Sequence, residues 1–419
     1  MRSYRQEAWG GLKRGDVRVD STNGPNGLIR VPLLDPSVLE SSLAELLARH
    51  PVLNIRIEER DDYPWLVPLA SPVAPLQVLS FDENAPKEEV EAAIAQVVWR
   101  PFDVLRGPLF RAYAVSHGSD AYIGLVAHHF VADIASLSIL MGDLLRIYEL
   151  SLRRAPITLP FAGLSYGDYL AGLQAWIASP AGCAARQLAV RRLLDLPALD
   201  LGPVLDSTGP EREEFMLESE SVDRLRATAR ALSTSPFVIL LAVQNTLLRR
   251  FSPSSEVGLK VISSGRNAPA LLRTVGNLAD RQYVVTDLSD ADSFAAVVAR
   301  THQAFGFSQK HAFVRNDFIQ RDLTDLGVVG AAPVFNFVSL AGGRPPPPST
   351  RSPVARPPLR VPPPSHTAPT RPRDFYYLVL HDEGWRMHGR IRYGRGHIAG
   401  FVSDFVDAVD RCCRDSAGA

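Results

Sequence analysis

Apolar positions along this chain switch repeatedly between the period of a helix and that of a strand. In 36–50, Leu39, Leu43, Leu46 and Leu47 recur at helical spacing, and 87–98 carries the same pattern. Between them, 52–57 reads as a strand, and 122–127 is a short apolar run of the kind buried strands show. Leu137, Ile139, Leu140, Leu144, Leu145 and Ile147 then return to helical spacing. From 156 to 208 the composition shifts toward Pro, Gly and short helical pieces, with no strand until 214–217. The alternation resumes with helices over 222–232 and 238–251 and strands over 257–262 and 284–287. It closes with strands over 375–380 and 387–393 and an amphipathic helix over 401–409. Such alternation predicts a mixed α/β protein of two lobes, divided as 1–165, a crossover over 166–210, and 211–419.

Composition narrows this picture. The chain has 419 residues, 46% hydrophobic and 21% charged, the balance of a globular protein with ample core. Lys plus Arg equals Asp plus Glu at 45 each, so no global field recruits nucleic acid or an anionic membrane. The three cysteines, Cys183, Cys412 and Cys413, give neither a disulfide framework nor metal-ligand spacing. The first residues lack an apolar leader core, and no stretch is long and uncharged enough for a bilayer, so a cytoplasmic monomer is expected. One segment stands apart: 344–373 holds twelve prolines, six arginines and no acidic residue, and is expected to be an extended, flexible loop.

Candidate chemistry is concentrated at His128-His129-Phe130-Val131-Ala132-Asp133, between the 122–127 strand and the helix after it. Histidine titrates near neutrality, so two imidazoles and a carboxylate on such a turn suit proton transfer. The same residues also fit a plainer description, in which Asp133 caps the helix and the histidines are satisfied polar groups beneath it. The other eight histidines are scattered without i, i+4 pairing, which argues against a metal site. No phosphate-cradling glycine loop or dinucleotide fingerprint occurs.

The wider pattern separates these readings. His128-His129-x-x-x-Asp133 resembles the active-site motif of the condensation domains of nonribosomal peptide synthetases, in the chloramphenicol-acetyltransferase-like superfamily. Ser3-Tyr4-Arg5-Gln6-Glu7-Ala8-Trp9 is similar to that family's opening motif, and Arg49-His50-Pro51-Val52-Leu53 to the next one. Pro101-Phe102-Asp103-Val104-Leu105-Arg106-Gly107-Pro108-Leu109 resembles the stretch ahead of the histidine strand. Tyr166-Gly167-Asp168-Tyr169 with Trp176 is similar to the crossover motif, and Gly265-Arg266-Asn267 with Val275-Gly276-Asn277 to the second-lobe motif. Pro333-Val334-Phe335-Asn336-Phe337 resembles a late strand.

The resemblance implies two acetyltransferase-like lobes in a V, with the active site in a tunnel between them. It implies transfer of an acyl or peptidyl group from the phosphopantetheine thioester of a carrier protein to an amine or hydroxyl. No cofactor would be bound by this chain; the phosphopantetheine arm belongs to the donor substrate. Carrier and acceptor, either a small molecule or a second carrier, are expected in trans, as partners of a freestanding enzyme. His129 would be the catalytic residue that orients or deprotonates the nucleophile, His128 a positioning residue, and Asp133 would hold the turn by an ion pair with Arg266. Asn336 would line the tunnel and donate to the developing oxyanion, or else be a polar residue on an exposed strand face.

Two departures bear on this expectation. Where the family carries glycine after the motif aspartate, this chain has Ile134, which would narrow the acceptor side or redirect the loop and so favours a small free acceptor and chain release. Where the family tends to carry Phe-Val-Asn, this chain has Asn277-Leu278-Ala279-Asp280-Arg281. Heterocyclising relatives have aspartates in place of the histidine pair, and the late elements of plant-type and epimerising relatives are missing. Two other readings remain: a non-catalytic module that recruits a carrier protein or tailoring enzyme, and an acyltransferase that takes its donor from coenzyme A.

Overall fold

The computed structural model describes residues 24–61, 63–71, 75–196, 199, 212–311, 314–328, 332–339, 376–384, 386–393, 398 and 400–415. The Pro/Arg-rich segment 344–373 and the Ser3–Trp9 motif lie outside these residues. The described chain forms two compact units. In the first, β1 (Asn26–Val31), α1 (Pro36–Arg49), β2 (Ile55–Arg60), β3 (Tyr63–Pro68), β4 (Leu76–Phe81), α2 (Lys87–Val98), β5 (Phe110–His117), β6 (Asp120–Ala127), α3 (Ile134–Leu152) and α4 (Tyr166–Ala178) follow in order. The second holds α5 (Pro180–Leu194), β7 (Arg212–Leu217), α6 (Ser219–Ala231), α7 (Pro236–Leu248), β8 (Glu256–Ser263), β9 (Asp280–Asp287), α8 (Phe294–Lys310), α9 (Asn316–Asp325), β10 (Val334–Ser339), β11 (Tyr376–Asp382), β12 (Met387–Tyr393) and α10 (Phe401–Asp415).

In the first unit, a four-stranded sheet runs β1-β6-β5-β4, with β4 and β5 parallel and the other pairs antiparallel. All eight residues of β6 are buried, which is why 122–127 reads as a continuous apolar run rather than an alternating one. The helix α1 starts cleanly because Asp35 accepts from Ser37 N–H and Val38 N–H, with Pro36 at the first helical position. Its Leu39, Leu43 and Leu46 are fully buried, and α1 packs on α3, which in turn lies against β1 and β6. The strand predicted over 52–57 begins only at Ile55. Pro51 lacks an N–H and opens a single 3-10 turn over Pro51–Leu53, closed by Asn54 N–H to Pro51 O.

The second unit is built on a six-stranded mixed sheet, β7-β12-β11-β10-β8-β9, in which β10 is parallel to both β11 and β8. Helix α7 is buried almost all round, as its near-continuous apolar sequence requires. Among the described residues, no single helix is long and apolar enough to cross a membrane.

The division of the chain differs from the sequence expectation in two respects. The stretch 166–210 supplies α4 to the first unit and α5 to the second. More consequentially, Ser264–Ala279, between β8 and β9 and expected within the 211–419 lobe, belongs to the first unit. Two kinds of contact provide the reason: Arg266 pairs with Asp133 at the start of α3 and Arg273 with Asp143 within it, and Leu271, Val275 and Leu278 are buried in the first unit's core.

Candidate active site

Strand β6 ends at Ala127, and His128 N–H continues its hydrogen bonding by donating to Leu109 O at 2.9 Å. The chain then turns: Val131 N–H and Ala132 N–H both reach His128 O, at 2.9 and 3.1 Å. Asp133 caps α3 by accepting from Ser136 N–H at 2.8 Å. This geometry separates the two histidines. His128 is buried, with its ring stacked on Phe130 and edge-on to Phe102. Its Nδ1 accepts Phe130 N–H at 3.1 Å, so the proton of the neutral ring sits on Nε2. His129 is exposed, and its Nδ1 lies 3.2 Å from Ala132 O. A carbonyl only accepts, so Nδ1 carries the proton and the lone pair of the neutral ring is at Nε2.

Asp133 is the centre of the site's support. Arg266 donates to both of its oxygens at 2.9 Å, a bidentate pair whose side chains are only 5% and 3% exposed. Leu278 N–H and Ala279 N–H add bonds to Oδ2 at 2.9 and 3.0 Å. Burial alone would raise the carboxyl pKa, but the Arg266 charge and the hydrogen bonds outweigh it and hold Asp133 below the ordinary carboxylate range. Arg266 is itself fixed by the carbonyls of Ser264 and Thr274, at 3.0 and 2.9 Å. Gly265 beside it has φ +67°, and a Cβ there would run into Leu278 O, so only glycine lets the segment turn so tightly.

Ser136 ties the segment to α3. Its hydroxyl oxygen accepts from Arg266 Nη2 at 2.9 Å and from Gly276 N–H at 3.0 Å, and its proton serves Gly276 O at 2.6 Å or Asp133 Oδ1 at 2.9 Å. Asn277 Nδ2 donates to His129 O. A second anchor lies further along α3, where Asp143 binds Arg273 of the same segment, together with Arg49 and His50 of the Arg-His motif, both at 2.9 Å. Ser136→Ala is expected to destabilise the protein by about 1–3 kcal/mol, because it leaves the buried Gly276 N–H without its acceptor. Urea denaturation of the two proteins checks this, and a shift within error would mean that the hydroxyl does not hold the segment.

The structure thus gathers His128, His129, Asp133, Ile134 and Arg266 in the first unit. Ile134 is the first residue of α3, has no positive φ, and leaves 46% of its surface exposed. A capped helix start accepts a β-branched residue without strain, so the loop path needs no glycine here. Asn336 lies in the second unit, half-buried on β10, where its Nδ2 donates to Tyr377 Oη at 3.2 Å. Sequence reasoning did not single out Ser136, Asp143 or the side chain of Asn277. Asp143 carries a visible signal, a carboxylate set among Leu140, Leu144 and Leu145, whereas Ser136 has none beyond its place three residues after the cap. Among the described residues, no three His, Cys, Asp or Glu side chains come together as a metal-binding group.

Comparison with known proteins agrees with this fold. Residues 24–338 match the Condensation domain family, and the chain belongs to it. That family transfers acyl or peptidyl groups in nonribosomal peptide and polyketide biosynthesis. Among curated proteins, the dimodular nonribosomal peptide synthase of Bacillus subtilis (strain 168) is 28% identical over 302 residues, covering 67% of this chain and 12% of that protein. The chain spans no more than 12% of the length of the first such relatives. Among solved structures, the SgcC5 protein of Streptomyces globisporus superposes with a TM-score of 0.75 at 21% identity, covering 98% of both chains. A condensation domain that mediates chain release from the enacyloxin polyketide synthase gives 0.73 at 23% identity, over 95% of this chain and 79% of that one. The fold is the α/β architecture of condensation domains, with two chloramphenicol-acetyltransferase-like lobes.

Proposed function

We propose that this chain transfers an acyl or peptidyl group from a carrier-protein phosphopantetheine thioester to an amine or hydroxyl acceptor. The observation that carries this reading is the exposed His129 imidazole, whose Nδ1 proton is committed to Ala132 O so that Nε2 is the basic nitrogen. As the acceptor's lone pair attacks the thioester carbonyl, its proton passes to Nε2. The C–S bond then breaks, and the departing thiolate takes up that proton, leaving an amide or ester. His128, Asp133 and Arg266 position the turn. Asn336, engaged by Tyr377, is a weaker candidate for an oxyanion donor than the sequence pattern alone implies.

The exposed Ile134 side chain, one residue past Asp133, favours a small free acceptor over a carrier-bound one, and hence chain release or tailoring. The structural neighbour that mediates chain release is consistent with such a role. The test is intact-mass analysis of acyl-loaded carrier proteins incubated with this protein and a panel of amines and alcohols. Loss of the acyl mass from the carrier, with the acylated acceptor appearing in solution, is expected. Carriers that keep their acyl group with every acceptor would leave the recruitment reading in its place. In the same assay, Ile134→Gly is expected to broaden acceptance toward larger acceptors with little change for the smallest. An unchanged acceptor profile would remove Ile134 from the determinants of specificity.

A further inference from the structure

The peptide that follows His129 is held at its N–H by the neighbouring His128 ring and at its carbonyl by a group from a distant part of the sequence. Residues 128–131 form a turn closed by Val131 N–H to His128 O, and the His129–Phe130 peptide is its central one. In such turns the central peptide is the unit that flips, changing ψ of the residue before it and φ of the residue after it. Here its N–H donates to His128 Nδ1 at 3.1 Å, and its carbonyl accepts from Asn277 Nδ2. Phe130 has no positive φ, and the flipped form would require one.

Asn277 is well placed to act as a fixed support. It is 2% exposed, and its own carbonyl accepts from Tyr166 Oη at 3.2 Å. Its neighbours are held by Ser136, through Gly276 N–H, and by Asp133, through Leu278 N–H and Ala279 N–H. None of these bonds uses the Asn277 side chain. The segment is therefore anchored without that amide, whose hydrogen bond goes to the peptide that sets the direction of the His129 side chain.

We infer that Asn277 is a positioning residue for His129. By holding the His129 carbonyl it fixes how the imidazole leaves the turn, keeps Nδ1 on Ala132 O, and so maintains the tautomer with a basic Nε2. The inference rests on the reading of His129 as the base, and it assigns a task to the first residue of the stretch where this chain departs from the family pattern.

The test combines a spectroscopic and a kinetic readout on the full chain, using Asn277→Ala and the isosteric Asn277→Asp, which lacks the donor. Imidazole 15N spectra of histidine-labelled protein, with the His129 resonances assigned by their loss in His129→Ala, report the tautomer directly. The wild-type ring is expected to be Nδ1–H, and both variants are expected to shift toward the Nε2–H form. Acyl-transfer kcat is expected to fall roughly ten- to a hundredfold with KM changed less than about twofold, the behaviour of a misaligned catalytic group. If Asn277→Asp does not fold, both readouts stand on Asn277→Ala alone. A tautomer unchanged in the variants overturns the inference, whether kcat holds or falls with stability. A tautomer shift in a protein whose wild type transfers no acyl group would confirm the positioning while refuting the proposed function.

Discussion

Arg266→Ala is expected to destabilise the first unit by about 3–5 kcal/mol, the cost typical of removing one partner from a buried ion pair. The pair is desolvated on both sides, with 5% and 3% of the side chains exposed, so water cannot replace the guanidinium. Asp133 would retain Ser136 N–H, Leu278 N–H and Ala279 N–H, but would lose the cation that neutralises it. The same variant has a distinctive pH dependence. In the wild type, Asp133 has a folded pKa below its unfolded value, so its contribution is complete above the unfolded carboxyl range, ~3.9, and is lost as pH falls through the folded pKa. Without Arg266, burial dominates and the folded pKa rises above the unfolded one. The sign then reverses, and the deficit relative to wild type shrinks as the pH is lowered from neutrality toward the carboxyl range. Urea denaturation at several pH values measures both effects. Removing Asp133 as well is expected to recover part of the loss, because no buried charge is then left alone. A deficit under about 1 kcal/mol at neutral pH, or one independent of pH, would show that the pair does not support the turn.

The Asp133–Arg266 pair is expected from the family resemblance and not from local sequence, whose reach has identifiable limits. The start of α1 agrees with the apolar spacing because its Asp35 cap is local, and the boundaries of α2 agree because its periodicity is. Strand β5 is less legible, since Arg111 interrupts its apolar run. In the structure Arg111 is buried, donating to Val97 O and Pro101 O with its guanidinium over the Phe102 ring, so a formally polar position behaves as core. The Arg49-His50 motif shows that something is recognised, but not that the partner is Asp143, ninety-odd residues away. The same holds for Asn277, which meets His129 across 148 positions. Periodicity reports which face of an element is buried. It carries no information about which distant polar group completes a given buried donor, and the site is made of such completions. The assignment of Ser264–Ala279 to the first unit is likewise not legible from hydropathy alone: Leu271, Val275 and Leu278 are buried in the first unit's core, but their apolar character does not say which core they enter, and the charge pairs to α3 join residues far apart in the sequence.

His129→Ala is expected to lower acyl-transfer kcat by about 10²–10⁴-fold, the range of general base catalysis, which corresponds to ~3–5 kcal/mol of transition-state stabilisation. The structure separates this effect from unfolding. The imidazole is exposed, its ring bond is to Ala132 O, and the backbone bonds that shape the turn, from Val131 N–H, Ala132 N–H and Asn277, do not pass through it. Thermal and urea stability should therefore change by no more than about 1 kcal/mol. His128→Ala gives the opposite signature, because it removes the acceptor of Phe130 N–H and a buried ring packed on Phe102 and Phe130, and so lowers stability together with rate. The pH profile adds an independent criterion: the acid limb of kcat/KM reports the base of the free enzyme and should vanish in His129→Ala while KM for the carrier stays near the wild-type value. Residual activity that keeps the wild-type acid limb would place the proton acceptor elsewhere, whatever the size of the loss. If the limb vanishes while the fold is intact, the basic nitrogen is His129 Nε2, and the turn, the Asp133–Arg266 pair and the Asn277 amide act together to hold one imidazole in one tautomer.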